Sequence, residues 1–173
     1  MSGLEVLGVC HLGLAVPDIA EFRRSWGPLL GVGDWFEADI TQPAGAVTLF
    51  GEPTGEATSR VAFGRFGDTA LELVEPRTGE TRTSRWLAAH GPGIHHVCVW
   101  VPSVPDALAA LPPGAQVSYA PTSLCTATPP GPGDFWAYVE VAGARVPWCV
   151  ELMDVRAVDT VRARFGDHLR YPS

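Results

Sequence analysis

The feature that most constrains this chain is that its pattern is written twice. Gly8-Val9-Cys10-His11-Leu12-Gly13-Leu14-Ala15-Val16-Pro17 lies over Gly93-Ile94-His95-His96-Val97-Cys98-Val99-Trp100-Val101-Pro102 at a constant offset of 85, with Gly, His, Val and Pro matched. A second register, offset by 79, sets Thr69-Ala70-Leu71-Glu72-Leu73-Val74-Glu75 over Trp148-Cys149-Val150-Glu151-Leu152-Met153-Asp154, with one acid inside an apolar run each time. A repeat of this period means two like supersecondary units that bury a shared core. The length of 173 residues suits two small modules as well as one full domain.

Each His-bearing run has the length and β-branched content of a buried strand and is stopped by Pro17 or Pro102. A helix follows in both copies, with Ile19, Phe22 and Trp26 on one face of the first and Val104, Leu108 and Leu111 on one face of the second. Short strands then lead to each Glu-bearing run, so each half reads β-α-β-β-β. We therefore expect an α+β fold with a first βαβββ module over 1–78, a linking helix and Gly-Pro turn over 79–92, and a second module with a C-terminal helix over 93–173. The stretch 121–134, with Pro129-Pro130-Gly131-Pro132-Gly133, is expected to form a loop.

Composition removes several function classes. A net charge of −7 argues against a nucleic-acid partner. All twelve basic residues are Arg, which excludes Schiff-base lysine chemistry and the Walker lysine. No apolar run reaches the roughly 18 residues that span a bilayer, and the N-terminus lacks the basic flank and apolar stretch of a signal peptide, so a cytoplasmic protein without a membrane partner is expected. Cys10, Cys98, Cys125 and Cys149 show no CxxC spacing and read as free thiols in apolar runs.

Alternation along a strand puts His11 on the face of Val9 and Gly13, His96 with Ile94 and Cys98, Glu72 with Ala70 and Val74, and Glu151 with Cys149 and Met153. Four polar groups thus face inward on apolar strands. Buried carboxylates are costly unless paired or metal-bound, and two together are worse. Two neutral imidazoles and two carboxylates neutralise a divalent ion and suit Zn, Ni, Co, Mn or Fe(II). One such ion held by His11, Glu72, His96 and Glu151 is the expected cofactor.

This arrangement resembles the vicinal oxygen chelate superfamily of glyoxalases, bleomycin resistance proteins and extradiol dioxygenases. The run Trp86-Leu87-Ala88-Ala89-His90-Gly91-Pro92-Gly93-Ile94-His95-His96 looks like the methylmalonyl-CoA epimerase-like branch, as does Leu71-Glu72-Leu73-Val74-Glu75-Pro76. The resemblance implies that the two modules pair into a cupped mixed sheet around one metal site. It places the family's metal positions on His11, Glu72, His96 and Glu151. Methylmalonyl-CoA epimerases tend to carry Gln where Glu72 stands, which brings this ligand set closer to glyoxalase I.

Other polar residues receive plainer readings. Alternation sends His95 to the opposite strand face from His96. His90 and His168 read as a helix end and a solvated tail, Glu75 and Asp154 as strand-end groups on the outward phase, and Glu56 as a loop residue that would otherwise be a second acid or base. Cys98 and Cys149 share faces with the ligands, yet apolar packing is the expectation. The aromatic residues Trp35, Phe36, Trp100, Phe135, Trp136 and Trp148 suggest core and a pocket wall for an organic substrate.

The expected function is a metal-dependent isomerase, epimerase or lyase acting on a small carbonyl compound, with Glu151, and next Glu72, carrying a proton on the carbon beside the carbonyl. An extradiol-type dioxygenase and a metal-independent antibiotic-binding protein are the alternatives. The expected partner is a small-molecule substrate, with a homodimer left open.

Overall fold

The computed structural model describes residues 4–125 and 134–172. In chain order the strands are β1 (Gly8–Ala15), β2 (Trp35–Gln42), β3 (Val47–Leu49), β4 (Glu52–Pro53), β5 (Ala57–Phe66), β6 (Thr69–Thr78), β7 (Gly93–Val101), β8 (Ala115–Pro121), β9 (Trp136–Val141) and β10 (Cys149–Asp154). The helices are α1 (Ile19–Ser25), α2 (Gly27–Leu30), α3 (Arg82–His90), α4 (Val104–Ala109) and α5 (Val158–Phe165). Of the expected 121–134 loop, Pro121 ends β8 and Thr122–Cys125 form a 3-10 turn, while 126–133 lie outside the described residues.

One ten-stranded mixed sheet runs in the order β2-β5-β6-β1-β7-β10-β9-β8-β3-β4. The two halves are the same motif related by an approximate two-fold rotation about the centre: β1 pairs parallel to β6, β7 pairs parallel to β10, and β1 meets β7 antiparallel. The two copies of the His-bearing strand are therefore neighbours at the middle of a curled sheet, each flanked by its own Glu-bearing strand. The β3–β4 hairpin departs from the simple repeat, because it leaves the first half and pairs with β8 at the far edge of the second. Its position is fixed by pairing to a strand some 70 residues later, as Thr48 opposite Ala120 shows.

The helices form where caps and apolar faces demand. Asp18 accepts from the Glu21 amide at the start of α1, Ser103 does the same for Asp106 in α4, and Thr81 and Ser84 close a reciprocal capping box on α3. Glu75 and Asp154 prove to be buried second caps: Glu75 Oε2 accepts from Ile19 N at 3.0 Å and Asp154 Oδ2 from Val104 N at 2.9 Å. The repeated outward acid thus ties the end of each Glu-bearing strand to the helix of its own half.

Ile19 and Val16 pack with Ala62 and Leu73 under α1, and Val104 and Ala107 pack with Val99, Ala137 and Leu152 under α4. On the concave side α5 lays Val161 and Phe165 against Phe63, Val74, Trp100 and Met153. Each large apolar side chain so buried stabilises the fold by about 1.5–3 kcal/mol. Cys10, Cys98 and Cys149 are free and buried, as their apolar surroundings suggested. No helix among the described residues is long and apolar enough to cross a membrane.

Candidate metal centre

The central pairing brings His11, Glu72, His96 and Glu151 together on the concave side. Glu72 lies opposite Gly13, which lies opposite His96; Glu151 lies opposite Cys98, which lies opposite His11. Each histidine therefore stands beside the acid of the other half, across a strand position carrying a small residue. At Gly13 the space is needed outright, because a Cβ there would fall 1.8 Å from Cε1 of the His96 ring. Cys98 is the counterpart of Gly13 in the repeat.

Nε2 of His11 is 3.1 Å from Nε2 of His96, 3.2 Å from Oε2 of Glu72 and 3.2 Å from Oε2 of Glu151. Nε2 of His96 is 3.1 Å from Glu72 Oε2 and 3.3 Å from Glu151 Oε2. All four side chains are buried, and the four donor atoms lie within 4.8 Å of one another. Ligands about 2.1 Å from a shared first-row ion stand about 3.0–3.4 Å from their neighbours. The measured separations fit that spacing.

The protein alone does not satisfy these groups. Close as the carboxylates are to the imidazoles, Oε2 of Glu72 and of Glu151 lack an aligned hydrogen bond, and so does Nδ1 of His11. Two ring nitrogens facing each other at 3.1 Å, both aimed at two carboxylate oxygens, are arranged as ligands rather than as donor–acceptor pairs. A divalent cation fits the donor set in charge, atom type and spacing.

Without a cation, charge must be balanced within the cluster. Burial opposes the charged form of all four residues, but each is outweighed by its neighbours. His11 is raised well above its ordinary range by Cys10, Glu151 and Glu72, and His96 is raised by Glu151 and Glu72. Glu72 and Glu151 are held below the usual carboxylate range by the two histidines. A histidine raised in the folded state adds stability that is complete below its unfolded value of about 6.5 and is lost as pH climbs through the folded value. The depressed carboxylates add stability present above about pH 4.5 and lost on acidification. Chelator-treated protein should therefore melt highest between about pH 4.5 and 6.5 and lose melting temperature above that window. With a divalent ion added the alkaline decline should disappear, because metal affinity grows as the histidines deprotonate. Scanning fluorimetry with and without chelator checks this, and a chelated profile that rises above pH 6.5 would show that the histidines are neutral in the free site.

Above the cluster opens a cavity of about 170 Å³ that His11, Glu72 and Glu151 help to line. Its walls include Phe63, Phe135, Trp136, Tyr138 and Phe165. Tyr138 faces Glu151 across the β9–β10 pair, and burial, with the charges of Glu151 and Glu72, raises its phenol well above the ordinary value, so it stays protonated. Polar lining includes Ser59, Thr81, Thr83 and the pair Gln42 and Tyr119, which hydrogen-bond to each other between β2 and β8, and Arg164 of α5 brings a cation. Gln42, Tyr119 and Arg164 carry no sequence signal, because only the curl of the sheet and the docking of α5 bring them to the site.

The remaining sequence candidates fall elsewhere. Glu56 is exposed and outside the cavity lining, His90 binds the Trp86 carbonyl at the end of α3, and His168 pairs with Asp34 near the C-terminus. His95 departs from the alternation argument. It is fully buried with Nδ1 2.9 Å from Nδ1 of His96, and burial first, then the neighbouring His96, lowers its pKa to about 2. The cause is a β-bulge. Gly13 faces His96 and Leu14 faces Ile94, so His95 is the extra residue on β7.

A family model described as Glyoxalase/Bleomycin resistance protein/Dioxygenase superfamily matches residues 10–118, more than half of the chain, a stretch holding His11, Glu72 and His96. The chain is 29% identical over 101 residues to the uncharacterized protein YqjC of Bacillus subtilis (strain 168), a match that takes in 58% of this chain and 62% of that protein's length. Among solved structures, the hypothetical protein BH1468 from Bacillus halodurans C-125 superposes with a TM-score of 0.56 at 20% identity, covering 85% of this chain and 93% of that one. A Streptomyces coelicolor methylmalonyl-CoA epimerase variant in complex with 2-nitronate-propionyl-CoA does so with 0.56 at 19% identity, covering 87% and 95%. At these identities the structural likeness speaks for the fold.

Proposed function

The chain belongs to the glyoxalase/bleomycin resistance protein/dioxygenase superfamily, and on that footing we propose that it is a divalent-metal-dependent isomerase, epimerase or lyase acting beside a carbonyl group. The observation that carries the reading is the convergence of His11, Glu72, His96 and Glu151 within 4.8 Å at the floor of an aromatic-walled cavity. These four residues would hold the ion. When bound, it supplies a Lewis acid that makes the carbon next to a chelated carbonyl more acidic.

The chain's own residues do the rest. Glu151 and Glu72 both reach the cavity, so either carboxylate can accept a proton from that carbon and return it to the same face, the other face or a neighbouring atom. We assign the transfer to Glu151. Its strand partner Tyr138 offers a protonated hydroxyl on the same wall, suited to donate to a substrate oxygen. Phe63, Trp136 and Phe165 exclude water and select an organic body for the substrate.

The test is proton exchange in deuterated water. Methylmalonyl-CoA, the compound in the name of the Streptomyces coelicolor neighbour, and a series of small 2-oxo acids should be offered to protein loaded with Co, Mn, Ni, Zn or Fe(II). The true substrate should take up deuterium beside its carbonyl, and chelation should abolish the uptake. Stoichiometric consumption of O₂ without exchange would establish a dioxygenase instead, and a tightly held compound released unchanged and undeuterated would establish a binding protein.

A further inference from the structure

The two central strands each carry one bulge, and the bulges occupy the same place in the repeat. On β1, Val9 faces Val99 and His11 faces Cys98, so Cys10 is the extra residue; on β7 it is His95. Cys10 and His95 are counterparts at the offset of 85, and each immediately precedes a histidine of the cluster. A bulge turns its side chain out of strict alternation. Here it sets a second side chain behind each cluster histidine, a weakly bonding thiol in the first half and an imidazole in the second.

We propose that His95 is a positioning residue for His96: its Nδ1 accepts the Nδ1–H of His96 and so leaves the Nε2 lone pair of His96 facing Glu72, Glu151 and His11. The inference rests on the metal-binding reading of the cluster. Two ring nitrogens 2.9 Å apart need one donor and one acceptor. For His96 to ligate through Nε2 its proton must be on Nδ1, and Nδ1 of His95 must then be the acceptor.

The surroundings of His95 complete that tautomer. Its own proton is then on Nε2, which faces Sγ of Cys149 at 3.9 Å, and the Cys149 thiol in turn reaches the His95 carbonyl oxygen at 3.7 Å. Trp86 of α3 meets the His95 ring edge-on, with centroids 5.5 Å apart, and is itself fixed by its indole N–H bond to the Pro147 carbonyl. The acceptor is therefore held by the helix that joins the two halves. Behind His11 the counterpart is the thiol of Cys10, a weak hydrogen-bonding group, and Nδ1 of His11 makes no aligned hydrogen bond among the described residues.

Two substitutions separate this role from packing. Asn places its side-chain oxygen about where Nδ1 of His95 stands and can accept the same proton, whereas Phe fills the space without an acceptor. In a cobalt(II) titration followed by visible absorption, His95→Asn should bind within about threefold of the unchanged protein. His95→Phe should bind about 10- to 100-fold more weakly, the usual loss for an outer partner of a metal-bound histidine. The reverse order would assign His95 to packing and overturn the proposal. A second readout needs neither metal nor a variant: with ¹⁵N-labelled histidine, a coupling across the hydrogen bond should show the shared proton residing on His96 Nδ1. A proton residing on His95 Nδ1 would overturn the proposal whatever the titration shows. If the unchanged protein takes up no cobalt, the metal reading of the cluster fails, and the location of that proton still decides the direction of the bond.

Discussion

Replacing His96 with alanine is expected to lower the affinity for a divalent ion by about 100- to 1000-fold. Apparent binding energies of four-ligand zinc sites are about 10–16 kcal/mol, which puts each ligand at roughly a quarter of that, about 2.5–4 kcal/mol. His11→Ala should fall in the same range, because both Nε2 atoms stand at like distances from Glu72 and Glu151. The two variants should nevertheless differ without metal. Removing His96 also leaves His95 Nδ1 without its neighbour in a fully buried place, whereas removing His11 costs at most a weak contact with the Cys10 thiol. The melting temperature of chelated His96→Ala should therefore fall further than that of chelated His11→Ala. Elemental analysis and competition against a chromophoric chelator give the affinities, and unchanged metal content in both variants would refute the site.

The repeat makes much of this architecture legible in the sequence alone. Because β1 and β7 are copies of one strand, as are β6 and β10, the matched His and Glu positions had to recur at equivalent places in each half, and the sheet then sets the two halves side by side. The family match ends before Glu151, so for that member of the cluster the internal repeat is the stronger indicator.

What the pattern could not disclose depends on non-local pairing or on breaks in periodicity. Strict alternation sends His95 away from His96, yet one extra residue on β7 returns it. A period of 2 carries no mark of a bulge, and only the duplicated position of Cys10 hints at one. Glu75 and Asp154 look like strand-end acids until α1 and α4 dock and offer them free amides. The β3–β4 hairpin is short, and its partner β8 belongs to the other half, so no local propensity announces the pair. The cavity wall draws on β2, β8, β9 and α5, whose residues meet only in the finished cup.

Glu151→Gln is the substitution that should divide binding from chemistry. Gln preserves the size of the side chain and one oxygen able to ligate, but it cannot take up a proton. It also removes one negative charge from a cluster of two carboxylates, so a bound 2+ ion would no longer be fully neutralised and affinity should fall. Excess ion can make good that loss by mass action. It cannot restore a base. With the site saturated, deuterium uptake by the substrate should drop by about 10²- to 10⁴-fold, the usual contribution of a positioned proton carrier. Glu72→Gln makes the same change of charge at the repeat-related position, where the strand partner is Phe63 rather than Tyr138. If Glu151 is the carrier, Glu72→Gln at saturating ion should retain exchange to within about tenfold, since it alters the ligand set while sparing the base. The opposite result would move the proton to Glu72, and equal small losses in both would mean that neither carboxylate is the carrier. Mass spectrometry of recovered substrate, with metal content measured on the same samples, reads both quantities together.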